Sequence, residues 1–229
     1  MRVYKVNEIF YSLQGEGRNT GRAAVFVRFS GCNLRCRFCD TDFADYQLMT
    51  AEEIVRQARS LLPDRMLVTD DAQAADAREP VAKKADGISD ADRPIIVLTG
   101  GEPTLQVDEA LIDAFHAAGF PFVAMESNGT RRPPRNLDWL TVSPKAAQWM
   151  ATPANTTVVC RQCDELKVVF DGQTAVDDLG IQAHYYYLQP CDVGDAHRNA
   201  EIMSDCIDYI KRHPRWRLSL QTHKLLGIR

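Results

Sequence analysis

Cys32, Cys36 and Cys39 stand at Cys-x3-Cys-x2-Cys spacing in a loop directly after the strand-like run Ala23-Ala24-Val25-Phe26-Val27-Arg28-Phe29. Three thiolates this close can hold three corners of a metal cluster. A [4Fe-4S] cluster has four irons and ordinarily takes four cysteines, so a local trio with no evident fourth partner leaves one iron open to a ligand that is not protein. An open coordination position marks a reactive site, as it does for catalytic zinc. Two blander readings stand beside it at this point: a structural zinc site with a distant fourth ligand, and free cysteines of the core.

Polar segments also follow the later β-rich runs. Thr99-Gly100-Gly101-Glu102-Pro103 follows residues 95–98, Glu126-Ser127-Asn128-Gly129 follows 122–125, Ser143-Pro144-Lys145 follows 140–142, and Gln189-Pro190-Cys191 follows 185–188. In a parallel β/α array all strand C-termini lie on one rim, where active sites form. These segments are therefore expected to converge with the cysteine trio.

The elements that must position them alternate. Runs at 95–98, 122–125, 140–142, 166–170 and 185–188 are interspersed with helical patterns, which predicts an α/β fold with a parallel sheet or barrel covered by helices. The clearest helix begins at Thr50, where Thr50 and Glu53 form a capping box and Ile54, Val55, Ala58, Leu61 and Leu62 fall on one face. A second stripe, Leu111, Ile112, Phe115 and Ala118, stops at Gly119. A third, Ile202, Met203, Cys206, Ile207 and Ile210, stops near Pro214.

The chain has 229 residues, 45% of them hydrophobic, enough for a full core, and residues 1–229 read as one domain. Its first residues hold no apolar signal segment and no apolar stretch approaches a membrane span, so a soluble, cytoplasmic protein with no membrane partner is expected. A formal charge of −4 gives no general pull toward nucleic acid, and the expected substrate is small. Seven cysteines, an odd number, point to reduced thiols or metal ligands rather than a disulfide framework. Residues 70–93, rich in Ala, Asp and Lys, read as a mobile insertion. Cys160 and Cys163 would make half of a second metal site, but only Cys191 and Cys206 remain to complete it, and Cys206 lies in a helical stripe. A second cluster is not expected.

The cysteine trio followed by Gly100-Gly101-Glu102-Pro103 resembles the radical S-adenosylmethionine superfamily over nearly the whole chain. Within it, Ser12-Leu13-Gln14-Gly15-Glu16-Gly17, Phe26-Val27-Arg28, Cys39-Asp40-Thr41, Ser143-Pro144-Lys145 and Gln221-Thr222-His223-Lys224 are similar to the 7-carboxy-7-deazaguanine synthases of 7-deazapurine (queuosine) biosynthesis. The resemblance implies a partial, open β/α barrel of mostly parallel strands with its site at the strand C-terminal rim. It also implies a lyase reaction. S-adenosylmethionine would chelate the open iron and be cleaved by one electron to methionine and a 5'-deoxyadenosyl radical, which takes a hydrogen from C6 of 6-carboxy-5,6,7,8-tetrahydropterin. Ring contraction with loss of ammonia then gives 7-carboxy-7-deazaguanine. The cofactor carries the difficult step and the protein supplies position and exclusion of water. Residues 70–93 and the Cys160/Cys163 stretch depart from the family pattern.

Carried over residue by residue, the resemblance implies that Cys32, Cys36 and Cys39 hold the cluster and that Phe38, Cys39 and Asp40 border the cofactor. Gly100, Gly101 and Glu102 would lie along its methionine end, where glycine lets backbone groups come close. Glu126, Ser127, Asn128, Ser143, Pro144, Lys145 and Gln189 would meet its ribose and adenine. Arg28 would pair with the substrate carboxylate through its guanidinium fork. Leu13, Gln14, Gly15, Glu16 and Thr99 would frame the pterin, whose edge alternates donors and acceptors, and His223 and Arg229 would close the site. Thr41 would give Mg2+ a hard oxygen ligand. The implied partners are a one-electron donor such as flavodoxin or ferredoxin and a second copy in a homodimer. Two rival classes make different demands. An enzyme that installs a glycyl radical on a partner protein would share the cluster and the Gly-Gly-Glu-Pro loop but not need Arg28, Gln14 or Thr41, and an iron-sulfur or zinc module without activity would carry four protein ligands.

Overall fold

A computed structural model describes residues 2–39, 45–63 and 93–229. Asp40, Thr41 and residues 70–92 of the expected insertion lie outside the described residues.

The described strands are β1 (Tyr4–Leu13), β2 (Ala23–Phe29), β3 (Gln47–Met49), β4 (Ile95–Gly100), β5 (Val123–Ser127), β6 (Trp139–Val142), β7 (Gln162–Phe170), β8 (Gln182–Pro190) and β9 (Arg217–Leu218). They form one sheet in the order β3-β1-β2-β4-β5-β6-β7-β8-β9. β1 is antiparallel to β2 and β3, and every pairing from β2 to β9 is parallel. The order does not return on itself, so the array is an open, mostly parallel sheet, as the resemblance implied.

Side chains alternate across a strand with period two. Leu166, Val168 and Phe170 of β7, Val25, Val27 and Phe29 of β2, and Ile96 and Leu98 of β4 all join the main apolar core. Alternation sends Lys167, Arg28 and Thr99 to the opposite face, where the polar site is built. Helices α1 (Ala51–Ser60), α2 (Glu109–Ala117) and α3 (Ala196–Arg212) cover the apolar face, and their buried residues Ile54, Val55, Ala58, Leu111, Ile112, Phe115, Ile202 and Cys206 belong to the same core. The capping box of α1 is present: the Glu53 amide donates to Thr50 Oγ1 at 3.2 Å and the Thr50 amide to Glu53 Oε2 at 2.8 Å. Leu61 and Ile207 are exposed at the solvent edges of their stripes. Leu61 sits past the last turn of α1, and Ile207 is one residue, or about 100° of helix, beyond buried Cys206.

Two features differ from the sequence expectation. β1, the longest strand, was not anticipated, because an irregularity in its pairing between Val6 and Glu8 breaks the alternation that would have revealed it. The β5–β6, β6–β7 and β7–β8 connections hold no α-helix among the described residues. Gly129, Pro133 and Pro134, then Pro144 and Pro153, then Gly172 and Gly180 punctuate them in turn.

All seven cysteines are free thiols. Cys160 belongs to the apolar core and donates to the Arg131 carbonyl at 3.1 Å, and Cys163 packs against that core. Burial raises both thiols, Cys163 to about 12. No helix among the described residues is long and apolar enough to cross a membrane.

Candidate active site

β2 ends where the cysteine loop begins, and its parallel register with β4 pairs Arg28 with Thr99 and Phe29 with Gly100. The Gly-Gly-Glu loop is thereby laid against the backbone entering Cys32. The Gly101 amide donates to the Phe29 carbonyl at 2.8 Å and the Glu102 amide to the Gly31 carbonyl at 2.9 Å. A Cβ at Gly101 would lie 1.9 Å from the Gly31 oxygen, so the two loops touch at a distance that excludes any side chain. On its other side the cysteine loop is pinned by an antiparallel bridge between Cys36 and Met150. The Arg37 amide donates to the Trp149 carbonyl at 2.9 Å, and Phe38 meets Trp149 edge to face at 5.6 Å.

Cys32, Cys36 and Cys39 line a cavity of about 260 Å³ together with Phe38, Thr99, Gly100, Gly101, Glu102, Glu126, Ser127, Asn128, Ser143, Lys145 and Gln189. The rim segments expected from the sequence meet here. Pro144 instead borders a separate cavity behind its loop, beside Trp149. Among the described residues no three His, Cys, Asp or Glu side chains converge on a single ion. A cube makes a different demand, one thiolate on each of three irons. Three soft thiol donors and, beside them, a glycine loop stripped of side chains fit a [4Fe-4S] cluster with an open iron.

Glu102 is 1% exposed and both of its carboxylate oxygens are taken. Oε1 accepts from the Thr104 amide at 3.1 Å, the Thr104 hydroxyl at 2.6 Å and the Ser127 hydroxyl at 2.8 Å, and Oε2 accepts from the Asn128 amide at 2.7 Å. What it offers the cavity is a fixed rim joining the ends of β4 and β5.

A second cavity, of about 170 Å³, adjoins the first, and Glu16, Thr99, Gly100, Glu126 and Gln221 line both. Leu13, Gln14, Gly15, Arg28, His223 and Arg229 also line it, over an apolar floor of Phe10, Phe26 and Val97. Arg28 lies over Phe10 at 5.2 Å and pairs with Glu8 Oε1 at 3.3 Å, and Arg229 pairs with the same carboxylate from above the same ring. Two guanidiniums share one carboxylate, which leaves a positive charge able to receive an anion. The loop after β1 is fastened to the segment after β9: the Thr222 hydroxyl donates to the Gly15 carbonyl at 2.8 Å and the Gly17 amide to Ser219 Oγ at 3.0 Å.

Sequence reasoning missed Lys167 and Glu165. The Lys167 side chain is 6% exposed and pairs with Glu16 and, at 2.9 Å, with Glu126 Oε2. Burial by itself would lower its pKa, but Glu126, Glu16 and Glu165 together outweigh that and raise it. Burial likewise works against ionised Glu16, and Lys167 overturns it and lowers the carboxyl. Glu165 is buried and accepts from the Arg18 amide at 2.8 Å, while burial and then Glu126 push it up to about 7. Lys145, held by the Ser143 carbonyl at 2.9 Å and hydroxyl at 2.6 Å, is lowered by burial and by Lys167. The available signal was the pair of charges at alternate positions, Glu165 and Lys167, flanking Leu166 where the apolar run of β7 begins.

No family model matches the chain. It is 41% identical over 225 residues to the 7-carboxy-7-deazaguanine synthase of Bacteroides thetaiotaomicron, with 98% of each chain covered. Against the enzymes of the same name from Bradyrhizobium diazoefficiens and Nitratidesulfovibrio vulgaris the identity is 41% over 239 residues and 42% over 240, with 99% of each chain covered. The fold is that of the crystal structure of QueE from Escherichia coli, with a TM-score of 0.63 at 23% identity over 95% of this chain and 93% of that one. Similarity of this depth runs over nearly the whole of each chain. The chain belongs to the 7-carboxy-7-deazaguanine synthase family.

Proposed function

We propose that this chain is a radical S-adenosylmethionine lyase that converts 6-carboxy-5,6,7,8-tetrahydropterin to 7-carboxy-7-deazaguanine and ammonia. The observation that carries the reading is the junction of two cavities: three thiols line one, Arg28 and the pterin frame line the other, and Glu16, Thr99 and Glu126 stand on the wall between them. In this reading Cys32, Cys36 and Cys39 hold the [4Fe-4S] cluster. Cluster and S-adenosylmethionine, when bound, supply a carbon-centred radical able to take a hydrogen from C6 of the pterin.

The chain's own residues bind, orient and enclose. Gly100 and Gly101 offer bare backbone beside the cysteines, and Ser127, Asn128, Ser143, Lys145 and Gln189 offer polar groups for a nucleoside. Arg28, with Arg229 beside it, takes the substrate carboxylate in a charge-assisted pair. That carboxylate is attached to C6, so a guanidinium fork on it fixes the reacting carbon itself. Leu13, Gln14, Gly15 and Glu16 frame the ring and His223 covers it. The hydrogen bonds of Gly15 and Gly17 to Thr222 and Ser219 fasten this roof and help keep water out.

Five further assignments belong to the same proposal. Thr41 is a ligand of Mg2+, the reductant is a small one-electron carrier such as flavodoxin or ferredoxin, the assembly is a homodimer, and the protein works in the cytoplasm as one domain over 1–229. Anaerobic reconstitution with iron and sulfide counting, spectra with and without S-adenosylmethionine, and incubation with the pterin and a reductant test the activity. Equimolar deazapurine and ammonia are expected. A cluster whose spectrum ignores S-adenosylmethionine, or a responsive one that yields no product, would overturn the reading.

A further inference from the structure

A buried ammonium lies between the two carboxylates that the cavities share. Lys167 has three N–H donors. One goes to Glu16 and one to Glu126 Oε2 at 2.9 Å, and no described residue supplies a further acceptor, while Lys167 itself lines the cavity on the cysteine side. Glu16 comes from the loop after β1 and Glu126 from β5, so nothing in their local structure requires them to meet. They meet at Lys167. Two carboxylates sharing a site do not both ionise readily, because each raises the other, unless a cation stands between them.

We propose that Lys167 is a positioning residue that keeps Glu16 and Glu126 both ionised on the wall of the substrate cavity, so that this wall presents only acceptors to the N–H edge of a bound pterin. The inference rests on the pterin reading of that cavity. A pterin carries an amino group and a ring N–H side by side, both donors. An ionised carboxylate is acceptor-only, whereas a protonated one carries a donor of its own. Removing the ammonium would make one of the two carboxylates take up a proton, and a donor would then face a donor. The amides around the pair are already aimed to suit ionised groups: Gln14 Nε2 donates to Glu126 Oε1 at 3.3 Å and Gln221 Nε2 to Glu16 Oε1 at 3.2 Å.

The other charged or titratable groups facing this cluster are Glu165 from β7 itself, Lys145 after β6 and His223 from the helix α4 (Thr222–Leu226). Lys145 is held by Ser143, and all three are present unchanged in every variant below. Glu165 and Lys145 are themselves shifted by Lys167 and Glu126, so the variant below that lacks both carboxylates of the pair shows how much of a profile these groups contribute.

Without a reductant the reconstituted enzyme with S-adenosylmethionine can bind 6-carboxy-5,6,7,8-tetrahydropterin but not turn it over, so its affinity can be titrated across pH. Iron content serves as the control for an intact site. Between about pH 6 and about pH 9 the wild type should keep its affinity within roughly twofold, whereas Lys167→Met should bind about tenfold or more weakly at the acid end and recover as pH rises and the second carboxylate ionises. Lys167→Arg should follow the wild type. The triple variant Lys167→Met/Glu16→Gln/Glu126→Gln, which leaves no carboxylate of the pair to titrate, should be weakened but flat with pH. A loss in Lys167→Met that is uniform across pH, or a Lys167→Arg protein that behaves like Lys167→Met, would reduce Lys167 to a packing role. Should Lys167→Met not fold, the triple variant decides: a folded protein with a flat profile supports the proposal, and one that stays unfolded overturns it. A wild type that binds S-adenosylmethionine but not the pterin would instead remove the substrate reading, and the inference with it.

Discussion

The carboxylate of Glu102, at the close of the glycine loop, accepts the hydroxyl of Ser127 at 2.8 Å inside the protein, and so ties the end of β4 to the end of β5. With the Thr104 and Asn128 bonds, this one side chain satisfies four donors, two of them from the buried residues Ser127 and Asn128. The alignment of the cofactor rim depends on it before any cofactor is bound.

Glu102→Ala should therefore destabilise the cluster-free protein by about 3 kcal/mol or more, since the buried donors of Ser127 and Asn128 lose their acceptor at once and the Thr104 bonds go with them. Denaturant unfolding of the protein without iron checks this. Unchanged stability with lost affinity for S-adenosylmethionine would mean that Glu102 acts on the cofactor directly.

Gly101→Ala tests the contact between the two loops. Its new Cβ would need to occupy space 1.9 Å from the Gly31 carbonyl oxygen, and the neighbour is backbone, which cannot turn aside as a flexible side chain can. The cysteine loop must shift, so iron retention should fall sharply while circular dichroism reports an intact sheet. Full iron content in this variant would refute the tight apposition of the loops.

Replacing any one of Cys32, Cys36 or Cys39 by Ala should abolish the reconstituted cluster absorption, because two thiolates do not hold a cube at three corners. Cys160→Ala and Cys163→Ala should keep full iron, since both thiols lie in or against the apolar core. Their effect should instead be a modest loss of stability.

Arg28 is partly exposed and shares Glu8 with Arg229, so its pair with a substrate carboxylate is worth less than a fully buried one. Arg28→Ala should weaken pterin binding by about 1 to 3 kcal/mol, the range of a charge-assisted hydrogen bond, without changing affinity for S-adenosylmethionine. Glu8→Gln should leave pterin binding equal or stronger, because it removes the carboxylate competing for the same guanidiniums. Equilibrium titration of both variants checks the pair. Weaker binding in Glu8→Gln would argue that Glu8 orients Arg28 more than it competes.

Glu165 gives the stability of the fold a pH dependence. Its folded pKa of about 7 lies above the unfolded value, so the folded state holds the proton more tightly. Its contribution is complete below the unfolded pKa, near 4.3, and is lost as pH rises through about 7. The loss should amount to about 3 to 4 kcal/mol. Glu165→Gln cannot ionise and can still accept from the Arg18 amide. Its stability relative to the wild type, measured by urea unfolding, should rise by that amount between about pH 4 and about pH 8. A constant difference over this range would show that Glu165 ionises as freely in the fold as outside it.

The cysteine loop, the glycine loop and the segments around Ser127 and Ser143 were legible in the sequence for a topological reason. Residues that directly follow parallel strands share one rim whatever the details of packing, so reading the strands was enough to bring these groups together. β1 was not legible, because the irregularity between Val6 and Glu8 interrupts its period, and its place between β3 and β2, antiparallel to both, follows from pairing rather than from its own pattern. Alternation within β7 could place Lys167 on the face of Glu165, away from Leu166 and Val168. It could not say which carboxylates Lys167 would meet. β6 separates β5 from β7 in the sheet, and Glu16 lies on a loop 151 residues away in the chain. Only tertiary structure brings these three side chains together, and burial then lets an ammonium and two carboxylates set one another's charge.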